Sequence, residues 1–365
     1  MDIPEPHQTT IKAIVKHYEE NQNDGFRAHL GGSIIGRPCE RALWYTFRWC
    51  TEVKHSGQLL RLFQTGHLVE ERFVADLRSI GIKIFGADPA TGEQFRVSAC
   101  HGHFGGSMDG VGQGFIEAPK TWHLIEMKTH NEKSFSHLVK KGVAEAKPEH
   151  FVQMQVYMYL ASPQLTRAFY IAVNKNTDEL YGERIRLDAN IGKATVTRAE
   201  CVIASDRPLN KISDDPSWYL CKFCDHHGIC HGQETPAVNC RTCLHSTPVD
   251  SVDNSGQWHC ARHNMEIPLQ VQKSGCDEHL YNPYLLESFA EPLDSGEFWI
   301  KYRLKATGEV FMTGGGQGQF SSREIQAVED KALLTDTQLN ELKKNFNGTV
   351  VANTDKNKSK ETDHG

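Results

Sequence analysis

His123-Leu124-Ile125-Glu126-Met127-Lys128-Thr129, with Gly105-Gly106-Ser107-Met108-Asp109-Gly110 just upstream, sets the strand pattern from which the rest of the chain is placed. Leu124, Ile125 and Met127 form a short apolar run of strand length. On a strand Glu126 and Lys128 point to one face and Met127 to the other. Asp109 closes a second predicted strand, beside the permissive Gly110. Two carboxylates from adjacent strands with a lysine alongside make a sensible phosphodiesterase site. Carboxylate oxygens are hard ligands for Mg²⁺ or Mn²⁺. Such an ion polarises a phosphate and generates hydroxide, while the lysine orients water or offsets developing charge.

Outward from this pair, residues 8–20, 38–49 and 57–80 have helical spacing. In the last of these, Leu59, Leu60, Phe63, Phe73, Val74 and Leu77 suit a buried stripe. Between Ile82 and Thr129 the pattern is of short strands. Helices return at 131–141 and 149–161, strands at 167–174 and 179–186, and a helix at 190–204. Helices flanking a compact group of strands predict an α/β fold with a mixed central sheet, its domain covering residues 1–235. Residues 236–350 shift to a cysteine- and histidine-rich composition in which metal substitutes for core. They carry a hairpin over 296–313 turning at Thr307-Gly308, then one helical segment from 322 to 346. Phe298, Tyr302 and Phe311 read as hairpin core, with a stacking surface for single strands as the second reading. Residues 351–365 (VANTDKNKSKETDHG) read as a disordered tail.

The 365 residues carry 40 Lys and Arg against 46 Asp and Glu, a formal charge of -6. That total does not exclude a nucleic-acid partner, because salt screens charges beyond about 8 Å and the local groove decides. Basic residues cluster at Arg37 and Arg41 and at Lys140, Lys141 and Lys147. No apolar run reaches the roughly 18 residues of a membrane span, and MDIPEPHQTT lacks the pattern of a signal peptide, so a cytoplasmic protein is expected. In a reducing compartment the eleven cysteines read as metal or cluster ligands.

Glu-x-Lys alone is weak evidence, since it begins at Glu52, Glu126, Glu145, Glu329 and Glu341. Glu126 differs through its apolar flank and through Gly106-x-x-Asp109 one hairpin earlier. Gly66-His67 lies upstream on a helix, with Glu70 and Glu71 one turn on. Gln153 and Tyr157 lie downstream on one face of another helix. This order of Gly-His, Gly-x-x-Asp, Glu-x-Lys and Gln-x-x-x-Tyr resembles the PD-(D/E)XK nuclease superfamily over residues 30–232. It is most similar to the RecB/AddB-like branch that includes CRISPR-associated adaptation exonucleases. The resemblance implies a restriction-endonuclease-like core, with His67, Asp109 and Glu126 as metal ligands, Lys128 as catalytic, and Gln153 and Tyr157 bordering the site.

Cys221-x2-Cys224-x5-Cys230 is a compact ligand group needing one more donor. Iron–sulfur members of that branch carry one cysteine before the nuclease core and three after it. The resemblance thus implies a [4Fe–4S] cluster on Cys39, Cys221, Cys224 and Cys230; zinc with His227 or His231 is the other reading. Cys240-x2-Cys243, Cys260 and Cys276 read as a separate zinc site, with His263 competing with Cys276 as its last ligand. The expected activity is metal-dependent hydrolysis of DNA, by an exonuclease or end-processing enzyme of recombination, repair or mobile-element metabolism. Its partners would be DNA and a recombination or single-strand-annealing protein, with no membrane. The alternative is a non-catalytic DNA-binding or assembly factor that keeps the fold.

Overall fold

The structure, a computed structural model, describes residues 9–23, 25–346 and 348–351. Residues 1–8 of the stretch read for a signal sequence, and the tail from 352 onward, lie outside these. Two compact units interleave along the chain. The first gathers Met1–Pro38, Val53–Ile203 and Asp250–Gly256; the second gathers Cys39–Glu52, Ala204–Val249 and Gln257–Gly365.

The first unit begins with α1 (Thr9–Glu20) and β1 (Leu30–Gly31). After α2 (Glu40–Phe47), which belongs to the second unit, come α3 (Gly57–Ser79), β2 (Lys83–Phe85), β3 (Arg96–Ala99), β4 (Phe104–Ser107), β5 (Gly110–Gln113) and β6 (His123–His130). Then α4 (Glu132–Ala146), α5 (Pro148–Leu160), β7 (Arg167–Asn174), β8 (Leu180–Arg186) and α6 (Ala189–Ala204) follow. The main sheet has the order β2-β5-β6-β7-β8, in which β6 and β7 run parallel and the other pairs antiparallel. A mixed sheet of this kind flanked by helices is the α/β core read from the sequence.

Alternation along β6 places Ile125 and Met127 in one buried layer with Ile82, Ile84, Phe115, Ile171 and Val173. Phe73 and Leu77 of α3 close that layer. Phe63, expected in the same stripe, is instead exposed, because the first half of α3 lies against α1: a Cβ on Gly57 would meet the Val15 carbonyl at 2.2 Å. Glu126 and Lys128 take the opposite face, toward α5. Pro148 starts α5 at the position where its missing N–H costs nothing.

Residues 204–235 group with the second unit, whereas composition had placed them with 1–203. The reason lies in α2. Arg41 Nε donates to Leu209 O at 2.6 Å and Trp44 Nε1 to Ser205 O at 3.0 Å. Short elements follow: α7 (Tyr219–Lys222), α8 (His227–His231), the three-stranded β9 (Ser246–Pro248), β10 (Trp258–Cys260) and β11 (Met265–Glu266), and α9 (Leu269–Gln272).

The expected hairpin is a three-stranded sheet, β12 (Ala290–Gly296), β13 (Trp299–Leu304) and β14 (Val310–Gly314), turning at Gly308 with φ of 75°. The added strand β12, AEPLDSG, has poor strand propensity. It survives as an edge strand with an irregularity between Pro292 and Asp294. Tyr302 and Phe311 are buried and stacked at 5.4 Å, as hairpin core. Phe298 lies outside the strand under Arg262, 3.5 Å from ring centre to guanidinium.

The single helix expected over 322–346 is broken into α10 (Ser322–Ala327), a 3₁₀ turn at Lys331–Thr335 and α11 (Thr337–Phe346). Ser321 and Glu324 form a capping box, and Asp330 caps the 3₁₀ turn, so each restart has its own side-chain cap. Among the described residues, no helix is long and apolar enough to cross a membrane.

Glu324 and Lys343 form a buried ion pair between α10 and α11. Burial pushes the Glu324 carboxyl up. The hydrogen bond and charge of Lys343, with the amides of Val350 and Ser321, outweigh it and hold the carboxyl below the usual range. Lys343→Met strands that carboxylate and should cost about 3 kcal/mol or more, measured by urea unfolding of the full chain. A carboxyl with a lowered native pKa stabilises above its unfolded value and loses that contribution as pH falls through the native one. The gap between wild type and variant should therefore narrow on acidification below about pH 4.5.

Candidate active site

Glu126 sits in the middle of β6 with its side chain wholly buried. Lys128, two residues on, reaches back into ion-pair contact with Glu126 Oε1 and stands 3.5 Å from Asp109 Oδ2. Asp109 lies in the two-residue link between β4 and β5. Register there pairs Gly110 with Ile125, so Asp109 arrives beside Glu126. Its Oδ2 accepts the Met127 N–H at 2.9 Å, which fixes the carboxylate against the strand. From α5, Gln153 Nε2 donates to Glu126 Oε2 at 3.1 Å. The structure thus brings together Asp109, Glu126, Lys128 and Gln153.

Tyr157, one turn after Gln153, is buried over two glycines. A Cβ on Gly106 would lie 2.0 Å from the Tyr157 hydroxyl, and one on Gly32 would lie 2.4 Å from its ring. The glycine that opens Gly106-x-x-Asp109 is therefore required by the tyrosine of the downstream helix. Burial, and then the nearby Glu126 and Asp109, raise the proton affinity of the Tyr157 phenol.

His67 behaves differently. Its side chain is largely exposed on α3, and its Nδ1 is 3.6 Å from Glu70 Oε2. Glu70, one turn along, is the group that senses the site. Burial and the Asp109 charge raise its carboxyl above the usual range, against the pull of His67 and Lys128. The signal was in the helical spacing, which names Glu70 as readily as His67.

Tyr170, His130 and His150 carried no recognisable sequence signal. Parallel pairing sets Tyr170 of β7 opposite Glu126. The Tyr170 hydroxyl is 2.8 Å from His130 Nε2 and 3.0 Å from His150 Nδ1. Burial, then Lys147 and Lys128, pulls His130 down to about 4. Burial, then Lys128, His130 and Lys147, pulls His150 down to about 3. Both imidazoles are neutral at neutral pH, which is compatible with a positive charge on Lys128.

Burial pushes the Glu126 carboxyl up to about 7; Lys128 pulls it down, and Asp109 and Glu70 add to the rise. Burial alone would lower Lys128, but Glu126 and Asp109 outweigh it and hold the ammonium charged. Three carboxylates thus crowd one cation. Hard oxygen donors in excess of positive charge are the donor chemistry a divalent ion prefers. Among the described residues, however, no group of three or more His, Cys, Asp or Glu side chains stands in an arrangement that could hold a metal ion.

The thiols influence one another within two sets of neighbours. Burial raises the Cys221 and Cys224 thiols, and Cys39 raises both further. Burial also raises Cys230, against Lys211 and Arg41, with Cys39 and Cys224 adding. Burial pushes Cys240 up to about 12, helped by Cys243, Cys276 and Cys260. His263 Nε2 lies 3.7 Å from Cys276 Sγ, so both candidates for the last position are adjacent.

No family model matches the chain, and no curated protein matches it. Among solved structures, similar chains include the alkaline exonuclease LHK-Exo of Laribacter hongkongensis, at 16% identity over 53% of this chain and 91% of that one, with a TM-score of 0.36. The same enzyme in complex with dAMP gives 14% identity, the same coverage and a TM-score of 0.35. SSO0001 gives 16% identity over 61% of this chain and 94% of that one, with a TM-score of 0.34. At these values no chemistry is carried over.

Gly106→Ala should displace Tyr157 without touching Asp109, Glu126 or Lys128. The expected result is a fall in the melting temperature of the full chain. Tyr157→Phe in the Gly106→Ala background should recover part of that stability, because the hydroxyl at 2.0 Å is the nearest atom to the added Cβ, with Cζ behind it at 2.7 Å. An unchanged melting temperature in Gly106→Ala would show that the close packing of Tyr157 is not needed.

Proposed function

We propose that the chain is a Mg²⁺- or Mn²⁺-dependent deoxyribonuclease acting as an exonuclease or end-processing enzyme in recombination, repair or mobile-element DNA metabolism. The observation that carries this reading is the seating of Lys128 between Asp109 and Glu126, with Gln153 holding Glu126 from α5. A divalent ion on Asp109 and Glu126, with His67 or Glu70 of α3 as a further ligand, would polarise the scissile phosphate and lower the pKa of a bound water. Lys128, held protonated, offers charge to a phosphate oxygen. Gln153 keeps the Glu126 carboxylate oriented, Tyr157 fixes the approach of β4, and α5 keeps bulk water off the buried side.

A binding protein without catalysis gains nothing from a carboxylate raised toward neutral pH in its interior. Lys128→Ala and Glu126→Gln should each lower degradation of end-labelled linear DNA by about 10²-fold or more, with chelation having the same effect on wild type. Linear DNA should be degraded and covalently closed circles spared if an end is needed. Unchanged activity in both variants would place the chemistry elsewhere.

Cys39, Cys221, Cys224 and Cys230 are the proposed ligands of a [4Fe–4S] cluster; Cys240, Cys243 and Cys260 with Cys276 or His263 are those of a zinc ion. Support comes from the mutual electrostatic influence within each group of thiols. Protein purified without oxygen should be brown and contain iron. Cys240→Ser should lose zinc and keep iron. Colourless protein holding only zinc would overturn the cluster, and loss of iron in Cys240→Ser would regroup the cysteines.

A further inference from the structure

A groove of about 430 Å³ opens on the first unit beside the β2 edge of the main sheet. Its walls include Phe85, Phe95, Met108, Val111 and Trp122, and it continues to the segment that follows α5. Register places it on the catalytic face. Phe85 pairs with Val111, Val111 with Leu124, and Leu124 is two residues from Glu126 on the same side of β6. Met108 lines the groove and is joined directly to Asp109. Trp122 precedes Glu126 by four residues, about 13 Å of extended chain.

We propose that this groove is a nucleobase subsite, in which a base of the DNA substrate, a few nucleotides from the scissile bond, stacks on Trp122. The proposal rests on the nuclease reading and names where that substrate runs. Three features favour a base over an apolar peptide or lipid. Three aromatic side chains, Phe85, Phe95 and Trp122, stand in the lining, with the Trp122 and Phe85 ring centres 6.0 Å apart and Trp122 substantially exposed. The one charged residue of the described lining is Arg96, and no carboxylate faces the groove. A flat π-surface with a guanidinium at its rim suits a base and the phosphate attached to it. Stacking is also tolerant of sequence, as a nuclease that travels along a strand requires.

The test is binding of the full chain, without added divalent ions, to a fluorescein-labelled oligothymidylate and to the same backbone made wholly abasic. Wild type should prefer the oligothymidylate by roughly tenfold. Trp122→Ala should remove that preference while leaving the abasic affinity unchanged, and Trp122→Phe should restore most of it. Arg96→Ala should weaken both ligands alike. A preference that survives Trp122→Ala overturns the subsite. So does equal binding of both ligands by wild type, which would leave the groove to an apolar partner. In either case the nuclease reading stands if DNA is still degraded. Failure of wild type to bind or degrade any DNA removes both.

Discussion

Glu126 is a wholly buried carboxylate in the central strand of a sheet, and the arrangement around it follows from that constraint. A buried charge with no partner is too costly to keep, so it must be paired or protonated. Lys128 supplies the partner from two residues away on the same strand, which requires no long-range folding event to bring it near. Gln153 completes the other oxygen from α5. Asp109, drawn in by the Met127 amide, adds a second negative charge that Lys128 must also serve. The result is a cluster with more carboxylates than cations, in which burial drives Glu126 up toward neutral pH and Asp109 and Glu70 add to the rise against Lys128.

The triplet Glu-x-Lys shows how strongly secondary structure decides what a motif means. Only at Glu126 does it lie on a strand, where residues two apart share a face. At the junction of α4 and α5, Lys147 turns instead to Ser134. Lys331, in a 3₁₀ turn, donates to Thr235 and the carbonyl of Ile325. Lys343, on α11, pairs with Glu324 and not with Glu341. Apolar flanking residues were enough to tell the strand copy from the others, so the pairing of Glu126 with Lys128 was legible in the sequence. So were most helices and strands of the first unit, with Ser56 capping α3, Asn131 capping α4 and Pro148 opening α5.

What escaped the sequence depends on contacts between distant segments. The parallel pairing of β6 with β7 places Tyr170 beside Glu126, and parallel register leaves no mark in a local pattern. Glu70 and His67 are equivalent by spacing. Only the path of α3 decides that Glu70 turns toward Asp109 while His67 stays exposed. Compact units that interleave are likewise invisible to composition, since α2 is tied to residues 204–209 by side chains reaching backbone carbonyls across more than 150 residues of sequence.

The same electrostatic logic governs the cysteines. Bringing Cys39 to Cys221, Cys224 and Cys230 makes those three thiolates harder to form, because Cys39 raises each of them after burial has done so. Cys230 is relieved in part by Lys211 and Arg41, Cys221 by Lys211, and Cys224 by a backbone hydrogen bond at His226. Neutral thiols are small hydrophobes and fill space poorly beside the short helices α7 and α8. A cation shared among them would convert mutual repulsion into ligation, and would do so for segments far apart in sequence. Both cysteine groups lie in the second unit, where elements are short. The first unit, with its long strands and layered apolar core, holds its carboxylates by Lys128 and backbone amides instead.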